Sequence, residues 1–300
     1  MYQQYIPDLL NGHIKSLARC ISLVENEAQG YEELLEQVPV NDHTKVVGIT
    51  GPPGAGKSTL VNALITRLLE QDKSVAIIAV DPSSPFNFGA LLGDRIRMSQ
   101  HFNHPKVFIR SMASRGALGG LSPKIIEVSD LIKAAGFDYL FIETVGVGQS
   151  EVEIAGVADT TVVVVVPEAG DEIQTMKAGL MEIADIFIVN KADRDNADAF
   201  VKNLRLLAHS KHYGDWEIPV IKSIATQQSG IHEIISAIEK HHAIVSHQQQ
   251  KHILLLAEKA WQLIQHRRMK NISKQILQQE IQEQLQQKTF NLYRYIGTKS

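Results

Sequence analysis

The passage from Val46 to Ser58 constrains the fold more than any other part of this 300-residue chain. A β-branched run, Val46 to Thr50, passes directly into Gly51-Pro52-Pro53-Gly54-Ala55-Gly56-Lys57-Ser58, and a helical pattern follows from Thr59. The pattern is G-x-x-x-x-G-K-[ST] between a strand and a helix, the setting in which it has a mechanical meaning. Glycine at 51, 54 and 56 lets the loop curl so that successive N–H groups, that of Ala55 among them, point at phosphate oxygens. The helix opening at Thr59 adds its positive dipole end. Lys57 is placed to reach β and γ phosphates, and Ser58 to offer a hydroxyl to Mg²⁺. Leu60, Leu64 and Leu68, spaced by four, predict that one face of this helix packs on a sheet.

The same alternation continues. Short apolar runs at Val75 to Val80, Val107 to Ser111, Tyr139 to Glu143, Thr161 to Val166, Ile186 to Asn190 and Pro219 to Ser223 are each separated by loops and helical stretches. Continuous apolar strands between helices require a sheet covered on both faces, so the chain is predicted to be α/β, a doubly wound, mainly parallel sheet. Before it, residues 1–44 read as a helical extension, with Ile14, Leu17, Ala18, Ile21, Val24 and Ala28 on one stripe and Gly30 as a stop. The core spans residues 45–230, and residues 231–300 form a helical arm. The glutamine-rich stretch near Ile272 to Leu285, with Ile276, Leu277, Ile281 and Leu285, reads either as a solvated polar end or as an amphipathic helix that packs on a second copy.

A second signal, Asn190-Lys191-Ala192-Asp193, closes the run from Ile186. An aspartate there accepts from N1–H and the 2-amino group of guanine, which adenine lacks, so N-K-x-D in order after a phosphate loop points to GTP and GDP. Lys191 lies along the base plane and Asn190 holds the loops. Ser223-Ile224-Ala225 falls where a third nucleotide contact is expected. Between these motifs Glu143-Thr144-Val145-Gly146 stands where D-x-x-G is usual, which assigns Glu143 to Mg²⁺ and the Gly146 amide to the γ phosphate. Val147 occupies the place where Ras-like proteins carry the glutamine that orients water, so slow intrinsic hydrolysis is expected. Asp81, at the carboxyl end of a strand, and Asp94 in a loop are further candidates for the metal. Pro167 to Lys177 leaves a strand on the nucleotide side and is a candidate mobile segment, with Asp171 as a capping acid in the plainer reading.

Composition narrows the partners. Thirty Lys+Arg against 33 Asp+Glu give a net charge of −3, too balanced to predict nucleic-acid binding. The apolar runs are of strand length, no membrane partner is expected, and Met1 to Leu10 does not read as a secretion signal. A single cysteine, Cys20, fits a reducing compartment, and the expected location is the cytoplasm. The histidine pairs His101/His104, His209/His212 and His241/His242 have no cysteine company and are expected to be solvated rather than metal-binding.

Asp81-Pro-Ser-Ser-Pro, Gly93-Asp-Arg-Ile-Arg-Met, Ser114-Arg-Gly-Ala-Leu-Gly-Gly, Glu143-Thr-Val-Gly-Val-Gly-Gln-Ser-Glu and Ala169-Gly-Asp-Glu-Ile-Gln together resemble the MeaB/ArgK family of SIMIBI-class P-loop GTPases. The likeness covers about residues 10 to 270, including Leu17-Ala-Arg and Leu23-Val-Glu-Asn. It implies a GTP-hydrolysing chaperone of adenosylcobalamin-dependent methylmalonyl-CoA mutase, or of a related acyl-CoA mutase, that gates cofactor delivery and protects its client. It implies also a homodimer built with the C-terminal arm. By motif match Lys57, Ser58, Asp81, Asp94 and Glu143 take the phosphate, magnesium and hydrolysis roles. Asp171, Gln174 and Lys177, in the segment Glu168 to Lys177, would couple nucleotide state to the partner. Three alternatives stay open: a metallochaperone-type GTPase, a kinase or ATPase linked to basic amino-acid transport, and a nucleotide-gated binding module with negligible turnover.

Overall fold

The structure is a computed structural model that describes residues 3–39, 41–81, 99–113, 121–144, 153–170, 178–209, 216–247, 249–269, 272–286 and 290–298. Its centre is a parallel sheet of seven strands: β1 (Lys45–Thr50), β2 (Val75–Asp81), β3 (Val107–Ala113), β4 (Tyr139–Glu143), β5 (Thr160–Val165), β6 (Ile186–Val189) and β7 (Val220–Lys222). The order across the sheet is β3-β2-β4-β1-β5-β6-β7, with every pair parallel. A doubly wound α/β architecture of the P-loop type is therefore present as the alternation of strands and helices predicts.

Helices α1 (Ile6–Leu10), α2 (Ile14–Glu25) and α3 (Tyr31–Gln37) precede the sheet. Along it follow α4 (Lys57–Glu70), α5 (Ile125–Ala134), α6 (Ala178–Ile183), α7 (Ala197–His209) and α8 (Ile231–His247). Strand alternation divides the core. Val162 and Val164 of β5 join Leu60, Leu64, Leu68, Ile234 and Ile238 on the face covered by α4 and α8. Val163 and Val165 point the other way, to Phe200, Val201 and Leu204 of α7. Burial on both faces is why β5 is an unbroken run of valine and threonine, and each fully buried leucine contributes about 1.5–3 kcal/mol.

The amino-terminal extension is three short helices, with Gly30 opening α3 in a left-handed conformation (φ 88°). Leu17, Cys20, Ile21 and Val24 of α2 are buried, and α2 packs against α5. Burial pushes the Cys20 thiol up to about 11. Among the described residues three ion-pair groups fasten this extension: Glu25 with Arg110 of β3, Lys124 with both Glu27 and Glu127, and Asp42 with Lys133 of α5.

The chain divides into two compact units, Met1–Leu255 and Leu256–Ser300. The first reaches past residue 230, where the strand signal ends, because Ile231, Ile234, Ile235 and Ile238 of α8 are buried in the same cluster as the α4 leucines. Helix α9 (Gln249–Met269) runs from the first unit into the second, which also holds α10 (Lys274–Gln286) and α11 (Leu292–Gly297). Within the second unit the glutamine-rich stretch is helical, Tyr295 Oη donates to Glu280 at 2.6 Å, and Asn291 caps α11 by accepting from the Arg294 amide. Trp261, Ile264, Ile276 and Leu285 are exposed.

The amino ends of β4, β5 and β6 are fastened by side-chain hydrogen bonds. His241 of α8 bonds through Nδ1 to Thr160 Oγ1 at 2.8 Å and through Nε2 to Asp185 Oδ1 at 3.2 Å. Asp185 Oδ2 accepts from the Thr161 amide, and Trp216 Nε1 donates to the Asp185 carbonyl. Beside them Tyr139 Oη donates to Glu239 at 2.8 Å. His241 is thus buried, as is His101, contrary to the expectation that these histidine pairs are solvated. The reason is position: His241 falls on the same stripe of α8 as Ile234 and Ile238, and both its ring nitrogens find partners. Among the described residues no group of three or more His, Cys, Asp or Glu side chains is arranged to hold a metal ion.

Candidate nucleotide-binding site

Strand β1 lies between β4 and β5, so the loops leaving the carboxyl ends of these strands open a crevice at a point where strand order reverses. The glycine-rich loop fills that place. Gly51 has φ 134°, and a Cβ there would lie 2.0 Å from the Val164 carbonyl oxygen of β5. Gly56 has φ 86°, and a Cβ there would meet Asn190 Nδ2 at 2.5 Å. Both positions combine a left-handed conformation with a close approach, so only glycine fits. Helix α4 then starts at Lys57, with the Leu60 amide donating to the Gly56 carbonyl at 2.9 Å.

Lys57 is 7% exposed, and its Nζ donates to the carbonyls of Gly51 (2.8 Å) and Pro52 (3.2 Å). The ammonium therefore curls back over the loop, whose Ala55 amide donates to the Pro52 carbonyl at 3.3 Å, and a positive charge stands beside the glycine turn. Ser58 Oγ donates to Glu143 Oε1 at 2.6 Å, both residues being buried. Next to them Thr144 Oγ1 donates to Thr50 Oγ1 at 3.0 Å, and the Thr144 amide to the Ile49 carbonyl. These contacts lock the end of β4 to the end of β1. A hydroxyl and a carboxylate converging across 2.6 Å are hard oxygen donors of the kind Mg²⁺ prefers.

Asn190 is the junction of the site. Its amide donates to the Val165 carbonyl at 2.8 Å, and its Nδ2 to the Ala55 carbonyl at 2.9 Å. Its Oδ1 accepts from Ser223 Oγ (3.1 Å) and from the Ala225 amide (3.2 Å). One buried side chain thus joins the glycine loop, the end of β6 and the loop after β7. Lys191, with φ 56°, sends Nζ to the Gly54 carbonyl at 2.8 Å. The Ala192 amide donates to the Ser223 carbonyl, and Ile224 forms an antiparallel bridge with Ser229. Asp193 and Thr59 are exposed at the rim.

Of the residues singled out by sequence, Gly51, Gly54, Ala55, Gly56, Lys57, Ser58, Glu143, Asn190, Lys191, Ser223 and Ala225 are brought together by these bonds. Asp81 ends β2, where its backbone is in register with Ala113. Asp94, Gly146, Asp171, Gln174 and Lys177 lie outside the described residues. Two features carry no sequence signal. One is the Thr50–Thr144 pair. The other is an ion pair between Arg194, immediately after Asp193, and Glu168, just beyond β5. The hydrogen bond from Arg194 holds the Glu168 carboxyl below its usual value.

Residues 17–284 match the profile of a family described as methylmalonyl-CoA mutase-associated GTPase MeaB. A protein of Pyrococcus abyssi that carries the name of a GTPase is 48% identical over 246 residues, 80% of this chain and 76% of that one. A fused isobutyryl-CoA mutase of Geobacillus kaustophilus is 37% identical over 234 residues, which make up 73% of this chain and 22% of the fused protein. Among solved structures, one described as a LAO/AO transport system kinase superposes with a TM-score of 0.73 at 26% identity, covering 99% of this chain and 96% of its own.

Proposed function

The chain belongs to the MeaB family of GTPases, and on that premise we propose that it binds GTP and hydrolyses it slowly while serving as a chaperone of an adenosylcobalamin-dependent acyl-CoA mutase. In this reading it gates delivery of the mutase's cofactor and protects the client, methylmalonyl-CoA mutase or a close relative. The observation that supports the nucleotide half is the Asn190 junction, which binds the phosphate loop and the guanine-reading loop into one unit. Support for the client half comes from the fused isobutyryl-CoA mutase, in which a segment like this chain and a mutase share one polypeptide.

The residues divide the work. The loop amides from Gly54 to Thr59 and the Lys57 ammonium bind phosphate oxygens and offset the negative charge that develops as the terminal phosphoryl group is transferred to water. Ser58 and Glu143, with Asp81 and Asp94, would hold Mg²⁺, which neutralises phosphate charge when bound. Gly146 would sense the γ phosphate. Lys191 and Asp193 read guanine, Asp193 through two hydrogen bonds that adenine cannot return. Ser223, Ile224 and Ala225 close the base pocket. Asp171, Gln174 and Lys177 pass the nucleotide state to the client. The exposed apolar side chains of the second unit, Trp261, Ile264, Ile276 and Leu285, suit a homodimer contact.

The name of the transport-kinase neighbour keeps phosphotransfer to another acceptor in play, but Asn190-Lys191-Ala192-Asp193 favours guanine over adenine. Phosphate release from GTP and ATP, each with and without purified mutase, tests the proposal. Preference for GTP and faster turnover with the mutase are expected. Equal use of ATP sinks the guanine reading, and indifference to every cobalamin mutase tried sinks the client assignment.

A further inference from the structure

We infer that the Arg194–Glu168 ion pair couples occupancy of the base-reading loop to the conformation of the chain that leaves β5. Arg194 sits at the end of a tight turn, its amide donating to the Lys191 carbonyl at 3.1 Å. The guanidinium therefore moves with Lys191 and Asp193. Glu168 lies on the 3₁₀ turn Pro167–Gly170 that prolongs β5. The strand behind that turn is itself part of the site: the Val164 carbonyl backs Gly51, and the Val165 carbonyl accepts from Asn190.

Among the described residues the base loop touches the β5 exit in two ways that differ in stiffness. The Asn190–Val165 bond is buried backbone, continuous with the ladder between β5 and β6. The Arg194–Glu168 contact is made by side chains that are about half exposed, 47% and 49%, between two turns rather than two strands. A pair of this kind is weak and adjustable, so any change in affinity that it transmits is at most about fivefold. It is the contact able to break and re-form while the sheet stays fixed. Lys191 adds a second positive charge near Glu168, so ordering that lysine along a bound base would alter the field at the same carboxylate. Coupling is reciprocal: whatever pulls on the β5 exit from outside alters guanine affinity by the same factor.

This inference rests on the guanine-reading role proposed for Lys191 and Asp193, and its test separates the two. Wild-type protein is first titrated with GDP and ADP. Backbone hydrogen exchange at Glu168, Ala169 and Gly170 is then measured with and without GDP, in wild type, Arg194→Ala, Glu168→Ala and the reversed double variant Glu168→Arg/Arg194→Glu. In wild type GDP should slow these amides severalfold. Either single variant should lose that slowing and bind GDP about two- to fivefold more weakly, with the reversed pair restoring most of both. GDP-dependent slowing retained in the single variants, or a reversed pair no better than they are, would overturn the coupling. So would faster exchange spread evenly through β5 and β6, which marks a structural role. Equal affinity for GDP and ADP in the wild type overturns the base reading as well, and that is known before any variant is made.

Discussion

The two ends of the sheet are built on opposite plans. At the carboxyl ends of β1 and β6 the chain turns through left-handed residues, Gly51, Gly54, Gly56 and Lys191, and hydrogen bonds run largely from side chains to loop carbonyls. At the amino ends Thr160, Asp185, His241, Tyr139 and Glu239 join side chain to side chain, with His241 only 2% exposed. At one end the polar side chains fold a loop upon itself; at the other they tie a helix to the starts of strands. The lesson is that hydrogen bonds of similar length shape a loop or anchor a strand according to whether their partners belong to loops or to strands and helices.

Substitutions can break or sharpen this contrast. The largest effect is expected for Lys57→Ala, which removes the charge above the glycine loop: GTP hydrolysis should fall by about a hundredfold or more, read by phosphate release. Next, Asp193→Asn should weaken GTP by tens of fold and admit xanthosine triphosphate, whose carbonyl accepts where guanine donates; competition titrations check this. At the opposite end His241→Ala should cost about 1–3 kcal/mol of unfolding free energy by urea titration, since Thr160 and Asp185 lose a buried partner. Nucleotide affinity should stay within about twofold, because that side chain belongs to the anchorage alone. If His241→Ala weakened GTP as much as Asp193→Asn, the division between the two ends would fail.

The smallest effect lies away from both ends, in α2. Cys20 has its folded-state pKa raised to about 11 from 9.0, so the neutral thiol is favoured in the folded protein. The stability this gives is fully present below pH 9.0 and is lost as pH rises towards 11. Wild type should therefore lose about 1 kcal/mol relative to Cys20→Ala between pH 8 and pH 10 in paired urea titrations.

Much of the carboxyl end was legible in the sequence because its chemistry demands particular residues in a row. Glycine at 51 and 56, lysine at 57 and Asn-Lys-x-Asp at 190 to 193 have few substitutes. The pairing of Ser58 with Glu143 could be expected from residue type, though not its 2.6 Å length. The amino end was hard to read because anchorage can be built from many residue sets. Even so, His241 carries a readable sign, its helical spacing from Ile234 and Ile238, which the doubling His241-His242 obscured. The Arg194–Glu168 pair joins positions distant in sequence on two exposed turns, and no periodicity reports on it. The packing of α8 on the sheet's face is legible only as a run of isoleucines at helical spacing, Ile231, Ile234, Ile235 and Ile238, and among the described residues no strand follows to mark it.

The strand order has a consequence for how the protein comes into being. Strand β1 pairs with β4 and β5, Val46 beside Leu140 and Val47 beside Thr160, and with no strand near it in sequence. During synthesis the glycine-rich loop leaves the ribosome with nothing to lie against. Asn190, which holds the Ala55 carbonyl, comes 135 positions later. Contacts so distant along the chain close late, so β1 and its loop gain these partners only after β4, β5 and β6 have been made. A nascent chain that already carries the whole phosphate motif therefore still lacks the side chain that ties the Ala55 carbonyl to the end of β6, until Asn190 has been added.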